Sequence, residues 1–139
     1  MNTQHKPTYI SLFSSAGVGC YGFKMAGFDC IATNELLERR LNIQRYNQKC
    51  KYPGGYICGD ITQEQTKKLL YDQLELWKTK EHLSRVDVVI ATPPCQGMSI
   101  ANQKKTDTEI VRNSLVVESI KIIQKINPRF FVFENVPAF

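Results

Sequence analysis

The sequence predicts an α/β fold, a doubly wound and mainly parallel sheet with strand order 3-2-1-4-5. Three observations carry this expectation. Short apolar runs rich in β-branched residues alternate with longer stretches of helical spacing along the whole chain. A glycine-rich turn, Gly17-Val-Gly-Cys-Tyr-Gly22, follows the first such run. A later run, Val86 to Ala91, ends abruptly at Pro93-Pro94, which cannot continue a ladder. Right-handed crossovers then put the switch point between the first and fourth strands, where open α/β sheets bind ligands.

The elements follow in order. Thr8 to Phe13 reads as the first strand, and Gly17 to Ala26 as a helix stopped by Gly27. Cys30 to Asn34 is the second strand, followed by a charged amphipathic helix from Leu36 to about Lys49. Pro53-Gly54-Gly55 turns the chain into a short third strand, Tyr56 to Cys58, closed by Gly59-Asp60. Thr62 to about Lys80 is helical, with Thr62 as N-cap and Glu64 spaced to pair with Lys68. Val86 to Ala91 is the fourth strand, Val111 to Lys125 a helix, and Phe130 to Phe133 a fifth strand set off by Asn127-Pro128. A sheet ending there leaves Phe130, Phe131 and Phe133 poorly covered, which points to a C-terminal continuation, a second subunit or a homodimer partner.

The 139 residues suit one domain. No apolar run is long enough to span a bilayer, and the first residues lack the apolar region of a signal peptide. Five scattered cysteines without a C-x-x-C pair, and only two histidines, argue against a zinc site or a disulfide framework. A reducing cytoplasm fits best, with no membrane and no metal expected. The net charge of +5 suits a polyanionic partner but is spread over solvated faces, so it decides little.

Cys95 follows Pro93-Pro94 at a strand end, where a thiol is available for chemistry. Position alone leaves this open against an inert buried cysteine. The glycine turn matches G-x-G-x-x-G, which by itself suggests a dinucleotide. Glu35, ending the second strand, is placed either to accept bonds from ribose hydroxyls or to start the next helix as a solvated acid. Asp60 is either an acceptor for an adenine amine or a turn residue.

Four segments together resemble the DNA (cytosine-5)-methyltransferase family: Phe13-Ser-Ser-Ala-Gly17, Asn34-Glu35, Pro93-Pro94-Cys95-Gln96 and Glu134-Asn135-Val136. They stand in that family's order and spacing, over nearly the whole chain. The likeness covers about the first half of a family member, the N-terminal portion of the catalytic domain in a Rossmann-like fold. It implies methylation of cytosine C5 in double-stranded DNA with S-adenosylmethionine as cofactor, within a restriction-modification system. It assigns Cys95 as nucleophile toward C6 of a flipped base, and Glu134 as the group engaging that base. Phe13, Ala16, Gly17, Glu35, Leu36, Asp60, Ile61, Pro94 and Leu115 would line the cofactor site. Gly97 to Asn113, with Lys104, Lys105 and Arg112, has the composition of a loop that closes over the base.

The chain departs from the family pattern at Ser11, where Asp is usual, and at Ser15 and Val18, where Gly is usual. It also has Leu36 where an aromatic residue often stacks on adenine. Its later Gln-x-Arg segment, target-recognition domain and C-terminal cofactor-site helix are missing from these residues. Three alternatives follow: a subunit or remnant of a split enzyme without independent catalysis, an RNA cytosine methyltransferase, and a dinucleotide oxidoreductase. The last explains the glycines but not Pro-Pro-Cys-Gln with Glu-Asn-Val. Amino-methyltransferases place an aromatic residue where Cys95 stands.

Overall fold

A computed structural model describes residues 6–94 and 107–135, with side chains left aside for 107–114. Five parallel strands, β1 (Thr8–Leu12), β2 (Asp29–Glu35), β3 (Tyr56–Cys58), β4 (Val88–Ala91) and β5 (Phe130–Phe133), form one sheet in the order β3-β2-β1-β4-β5. The expected order is the one observed. Among the described residues, four α-helices connect the strands: α1 (Tyr21–Met25), α2 (Glu38–Tyr46), α3 (Glu64–Lys80) and α4 (Asp107–Ile126).

Alternation along each strand sorts side chains to two faces. Ile10 and Leu12 of β1 and Val89 and Ala91 of β4 join Leu70, Leu74 and Trp77 of α3 and Ile122 and Ile123 of α4 in the main core. Tyr9, Val88 and Ile90 point the other way, onto Cys20, Phe23 and Phe28, with the Tyr9 and Phe23 rings stacked at 4.9 Å. At the N-terminal edge, Thr8 N–H and Oγ1 both donate to Asp87 Oδ2, at 2.8 and 3.1 Å. At the opposite edge, Thr92 N–H donates to Leu12 O at 3.3 Å and Thr92 Oγ1 to Phe13 O at 2.9 Å. Those two bonds tie the exits of β1 and β4 together across the switch point.

Several element ends differ from expectation, each for a local reason. The helix expected from Gly17 begins instead as a 3-10 turn over Val18–Cys20, because Gly17 is left-handed at φ 86°. Gly27 does stop α1, at φ 84°. The second helix ends at Tyr46 rather than near Lys49. Gln48 turns left-handed at φ 50°, with Gln48 N–H bonded to Arg45 O and Lys49 N–H to Gln44 O, a Schellman closure. Thr62 does not cap α3: its N–H and hydroxyl both donate to Asp60 Oδ1, and the helix starts at Glu64. Lys67, not Lys68, pairs with Glu64, and it reaches across to Glu118 of α4 at 2.6 Å, whereas Lys68 pairs with Asp72. Helix α4 starts at Asp107, so residues 107–113 of the expected loop are helical.

Phe130 and Phe131 are 69% and 63% exposed on the edge strand, while Phe133 packs partly on the core. No helix among the described residues is long and apolar enough to cross a membrane. Nor do they contain a group of three or more His, Cys, Asp or Glu positioned to hold a metal.

The core makes a direct stability prediction. Leu70 is fully buried between α3 and the sheet. Leu70→Ala should lower unfolding free energy in urea by about 2–5 kcal/mol, and a loss below about 1 kcal/mol would refute this packing.

Candidate functional site

The site is built at the carboxyl ends of the strands, beginning with the turn after β1. Phe13 and Ser15 are left-handed at φ 56° and 51°, and Gly17 at 86°. Such backbone is costly for residues with a Cβ and persists only where neighbours fix it. Here they do. Ser15 N–H donates to Glu35 Oε2 at 2.8 Å, and Ser15 O accepts from Gln44 Nε2 at 2.6 Å. Gln44 also donates to Ser14 Oγ at 2.9 Å, while its Oε1 accepts from Thr33 Oγ1 at 2.8 Å and Lys49 Nζ at 2.9 Å. A Cβ on Gly17 would lie 3.0 Å from Gln44 Cγ, so the loop and α2 meet closely there.

Glu35 is buried at the end of β2, and its carboxylate accepts three bonds. Oε2 takes Ser15 N–H, while Oε1 takes Leu37 N–H at 3.1 Å and Arg40 Nη1 at 3.2 Å. A carboxylate has about four acceptor positions, so one remains, on Oε2. Arg40 is the partner with room to leave, since its side chain is 44% exposed.

These groups border a cleft of about 570 Å³, within the usual range for small-molecule sites. Of the positions expected to hold a cofactor, Phe13, Glu35, Leu36, Asp60, Ile61, Pro94 and Leu115 all line it. Leu36 is 63% exposed and offers an apolar surface there, beside buried Ile61. Asp60 Oδ1 accepts from both the N–H and the hydroxyl of Thr62, so one oxygen closes the turn while the residue also lines the cleft. Glu134 lines the same cleft from the exit of β5, its N–H bonded to Ala91 O at 3.1 Å and its side chain exposed. Pro93 is buried and Pro94 exposed at the exit of β4.

Ala16 and Gly17 face elsewhere, into a separate hollow of about 220 Å³ between α1 and α2. Gly19 and Gly22 have open space around them, so only the first glycine of G-x-G-x-x-G serves a close approach. Cys95, Gln96, Lys104, Lys105 and Val136 lie outside the described residues, and Arg112 lies where side chains are left aside. Sequence reasoning missed Gln44 and Arg40. Gln44 reads as one more polar residue on a charged helix, and Arg40 as half of a solvated Arg39-Arg40 pair.

A family model for C-5 cytosine-specific DNA methylases matches residues 8–139. The chain belongs to that family. It is 35% identical over 131 residues to the Type II methyltransferase M1.HgaI of Avibacterium volantium, an alignment covering 92% of this chain and 34% of the relative. It is also 35% identical over 127 residues to M.AquIA of Picosynechococcus, covering 91% of this chain and 47% of that one. Among solved structures, it is similar to a prophage-encoded protein of E. coli described as a DNA modification methyltransferase. There the TM-score is 0.67 and the identity 25%, with 96% of this chain and 33% of that one covered. The NADPH-dependent reductase YwfH matches with a TM-score of 0.57 at 17% identity over 88% of this chain and 49% of that one, a likeness of fold alone. The C-5 methylase chain thus spans between a third and a half of the length of these two curated relatives.

The Ser15 clamp is testable. Gln44→Ala removes partners from buried Ser14 and Thr33 and from Ser15 O, and should cost about 1–3 kcal/mol. It should also speed hydrogen exchange at the Ser15 amide. Unchanged exchange there would show that Gln44 does not hold the loop.

Proposed function

We propose that this C-5 methylase chain supplies the cofactor-binding and nucleophile-bearing part of a DNA cytosine-5 methyltransferase. Carrying this reading is one observation: Glu35, Leu36, Asp60, Pro94 and Glu134, from the exits of four strands, border a single cleft. The residues present fit an adenosine. Glu35 has an acceptor position for a ribose hydroxyl, Asp60 a carboxylate oxygen for an amine, and Leu36 with Ile61 an apolar surface for a base. When bound, S-adenosylmethionine supplies a methyl group activated on a sulfonium. Phe13, Pro94 and Leu115 complete the wall, and Ala16 and Gly17 shape the turn behind it.

Cytosine C5 is a weak nucleophile, so the reaction needs a group that adds to C6 first. In this reading the Cys95 thiolate does so, making C5 enamine-like, and departs later by elimination. Glu134 engages the ring at N3, where its carboxyl stabilises the charge that the attack creates. Cys95 cannot reach C6 inside a duplex, so the cytosine leaves the stack.

Further protein completes the site in this reading, as a C-terminal segment or a second subunit. Supporting this, Phe130 and Phe131 stand exposed on β5, the edge strand among the described residues, and Val18, Tyr21, Met25, Ile43 and Tyr46 are exposed around α1 and α2. In this reading its substrate is double-stranded DNA and its setting a cytoplasmic restriction-modification system; its relatives include Type II methyltransferases.

Two outcomes are expected. In calorimetry with S-adenosylmethionine, Glu35→Ala should weaken binding about 10-fold or more, the worth of a hydrogen bond to a charged group. Arg40→Ala should weaken it less, because Arg40 holds Oε1 while the free acceptor position is on Oε2. A loss in Arg40→Ala as large as in Glu35→Ala would refute this assignment of the two oxygens. With 5-fluorocytosine DNA and S-adenosylmethionine, this chain supplemented by the C-terminal part of a relative should form a covalent adduct, and the Cys95→Ser variant none. An adduct that persists in Cys95→Ser, or none from the supplemented wild type, would sink the mechanism.

A further inference from the structure

Away from the cleft, two cysteines distant in sequence meet. Cys30 lies in β2, and Cys50 follows the Schellman closure that ends α2; the two form an isolated parallel bridge. Bridged backbones lie about 4.8 Å apart, inside the roughly 4.4–6.8 Å Cα separation that a disulfide spans. The Cys50 thiol donates to Cys30 Sγ at 3.6 Å. Both residues line an open hollow of about 640 Å³ with Lys6, Lys49 and Lys51 on its walls. Cys30 is buried and Cys50 half-buried, so access is from the Cys50 side.

We propose that Cys30 and Cys50 form a dithiol modification site, which hydrogen peroxide closes to an intramolecular disulfide. Burial pushes the Cys30 thiol up, but the Cys50 hydrogen bond and the Lys49 charge outweigh it and hold Cys30 below its ordinary value. The bond to Cys30 and burial push Cys50 up. Of the two, Cys30 is therefore the thiol that loses its proton more readily and Cys50 the one that keeps it. The Cys30 thiolate attacks a peroxide oxygen; the S–O bond forms, the O–O bond breaks, and the departing hydroxide is protonated to water. Cys50 then attacks the sulfenic sulfur; the S–S bond forms, the S–O bond breaks, and the Cys50 proton leaves with the hydroxide as water. Two thiols are oxidised by two electrons and one peroxide is reduced to two waters.

The other described cysteines lack such a partner geometry. Cys20 faces the Ser11 hydroxyl at 3.0 Å, and the exposed Cys58 thiol points to Leu36 O at 3.5 Å. The bridge would tie both ends of residues 31–49, the segment that carries Glu35, Arg40 and Gln44. A disulfide restricts the unfolded chain most directly through such a loop, so the oxidised protein should be the more heat-stable form.

The test needs neither DNA nor cofactor and uses the chain as it is. It is exposed to hydrogen peroxide, quenched with catalase, alkylated under denaturing conditions and mapped by mass spectrometry. The expected result is loss of two alkylatable thiols, with Cys30 and Cys50 in one cross-linked peptide that dithiothreitol separates. The melting temperature should rise by about 5 °C or more on oxidation. Cys58→Ser should still form the bridge and Cys50→Ser should not. The proposal is overturned if Cys58 or Cys95 is oxidised while Cys30 and Cys50 remain alkylatable. It is equally overturned if Cys30 passes to sulfinic acid with Cys50 still free to alkylate.

Discussion

The left-handed backbone at Ser15 is the constraint on which the site rests. A serine in that conformation costs about 1–3 kcal/mol and stays there only if its surroundings leave no alternative. Its N–H is held by a buried carboxylate and its C=O by a buried amide, so both of its polar groups are fixed from outside the loop. The carboxylate is Glu35, which also accepts Leu37 N–H and so aligns the chain as it enters α2. The amide is Gln44, about two turns further along that helix. One turn after β1, the end of β2 and the first helix after β2 therefore share a single set of hydrogen bonds. A hydrogen bond to a charged group contributes about 1.5–3 kcal/mol, enough to offset the strain.

That arrangement accounts for departures from the family pattern. Ser15 stands where glycine is usual, and its φ explains the preference for glycine; the Glu35 and Gln44 bonds explain why serine is tolerated. Ser11 stands where aspartate is usual, and it is fully buried with its hydroxyl on the Cys20 thiol, a neutral pair in a place that would be costly for an unpartnered charge. Val18 replaces a glycine at a solvent-exposed position of the 3-10 turn, where a side chain meets no obstacle. Leu36 keeps an apolar surface in the cleft without a ring.

The strand order and the short strands Tyr56–Cys58 and Phe130–Phe133 were legible because apolar runs bounded by glycine, proline and asparagine leave few alternatives. Most of the cleft lining was legible too, since Glu35 closes its strand and Asp60, Pro94 and Glu134 come within three residues of the ends of theirs. What stayed hidden depends on distance in sequence. Asp60 competes with the helix for Thr62, which a cap rule applied to Thr62 alone does not weigh. Lys67 prefers two carboxylates, one of them on α4, to the single partner that helical spacing offers its neighbour. Gln44 looks like solvent-facing helix until the loop it holds is folded over it. Cys30 and Cys50, twenty positions apart, become neighbours only once α2 has doubled back onto β2.

The two sides of the cleft are joined by a smaller device than either. Thr92 gives its N–H to Leu12 O and its hydroxyl to Phe13 O, so the residue between β4 and Pro93-Pro94 is bonded to the end of β1 and the start of the loop that carries Ser15. A valine at this position would keep the shape but lose the second bond, since it has no hydroxyl to reach Phe13 O. Because Phe13 is itself left-handed, that bond does more than link strands: it fixes the peptide whose rotation would release the loop. The Ser15 side of the cleft and the strand end that leads to Cys95 are thus held by backbone-directed bonds. Glu134, just past the end of β5, gives its N–H to Ala91 O and leaves its side chain exposed at the cleft.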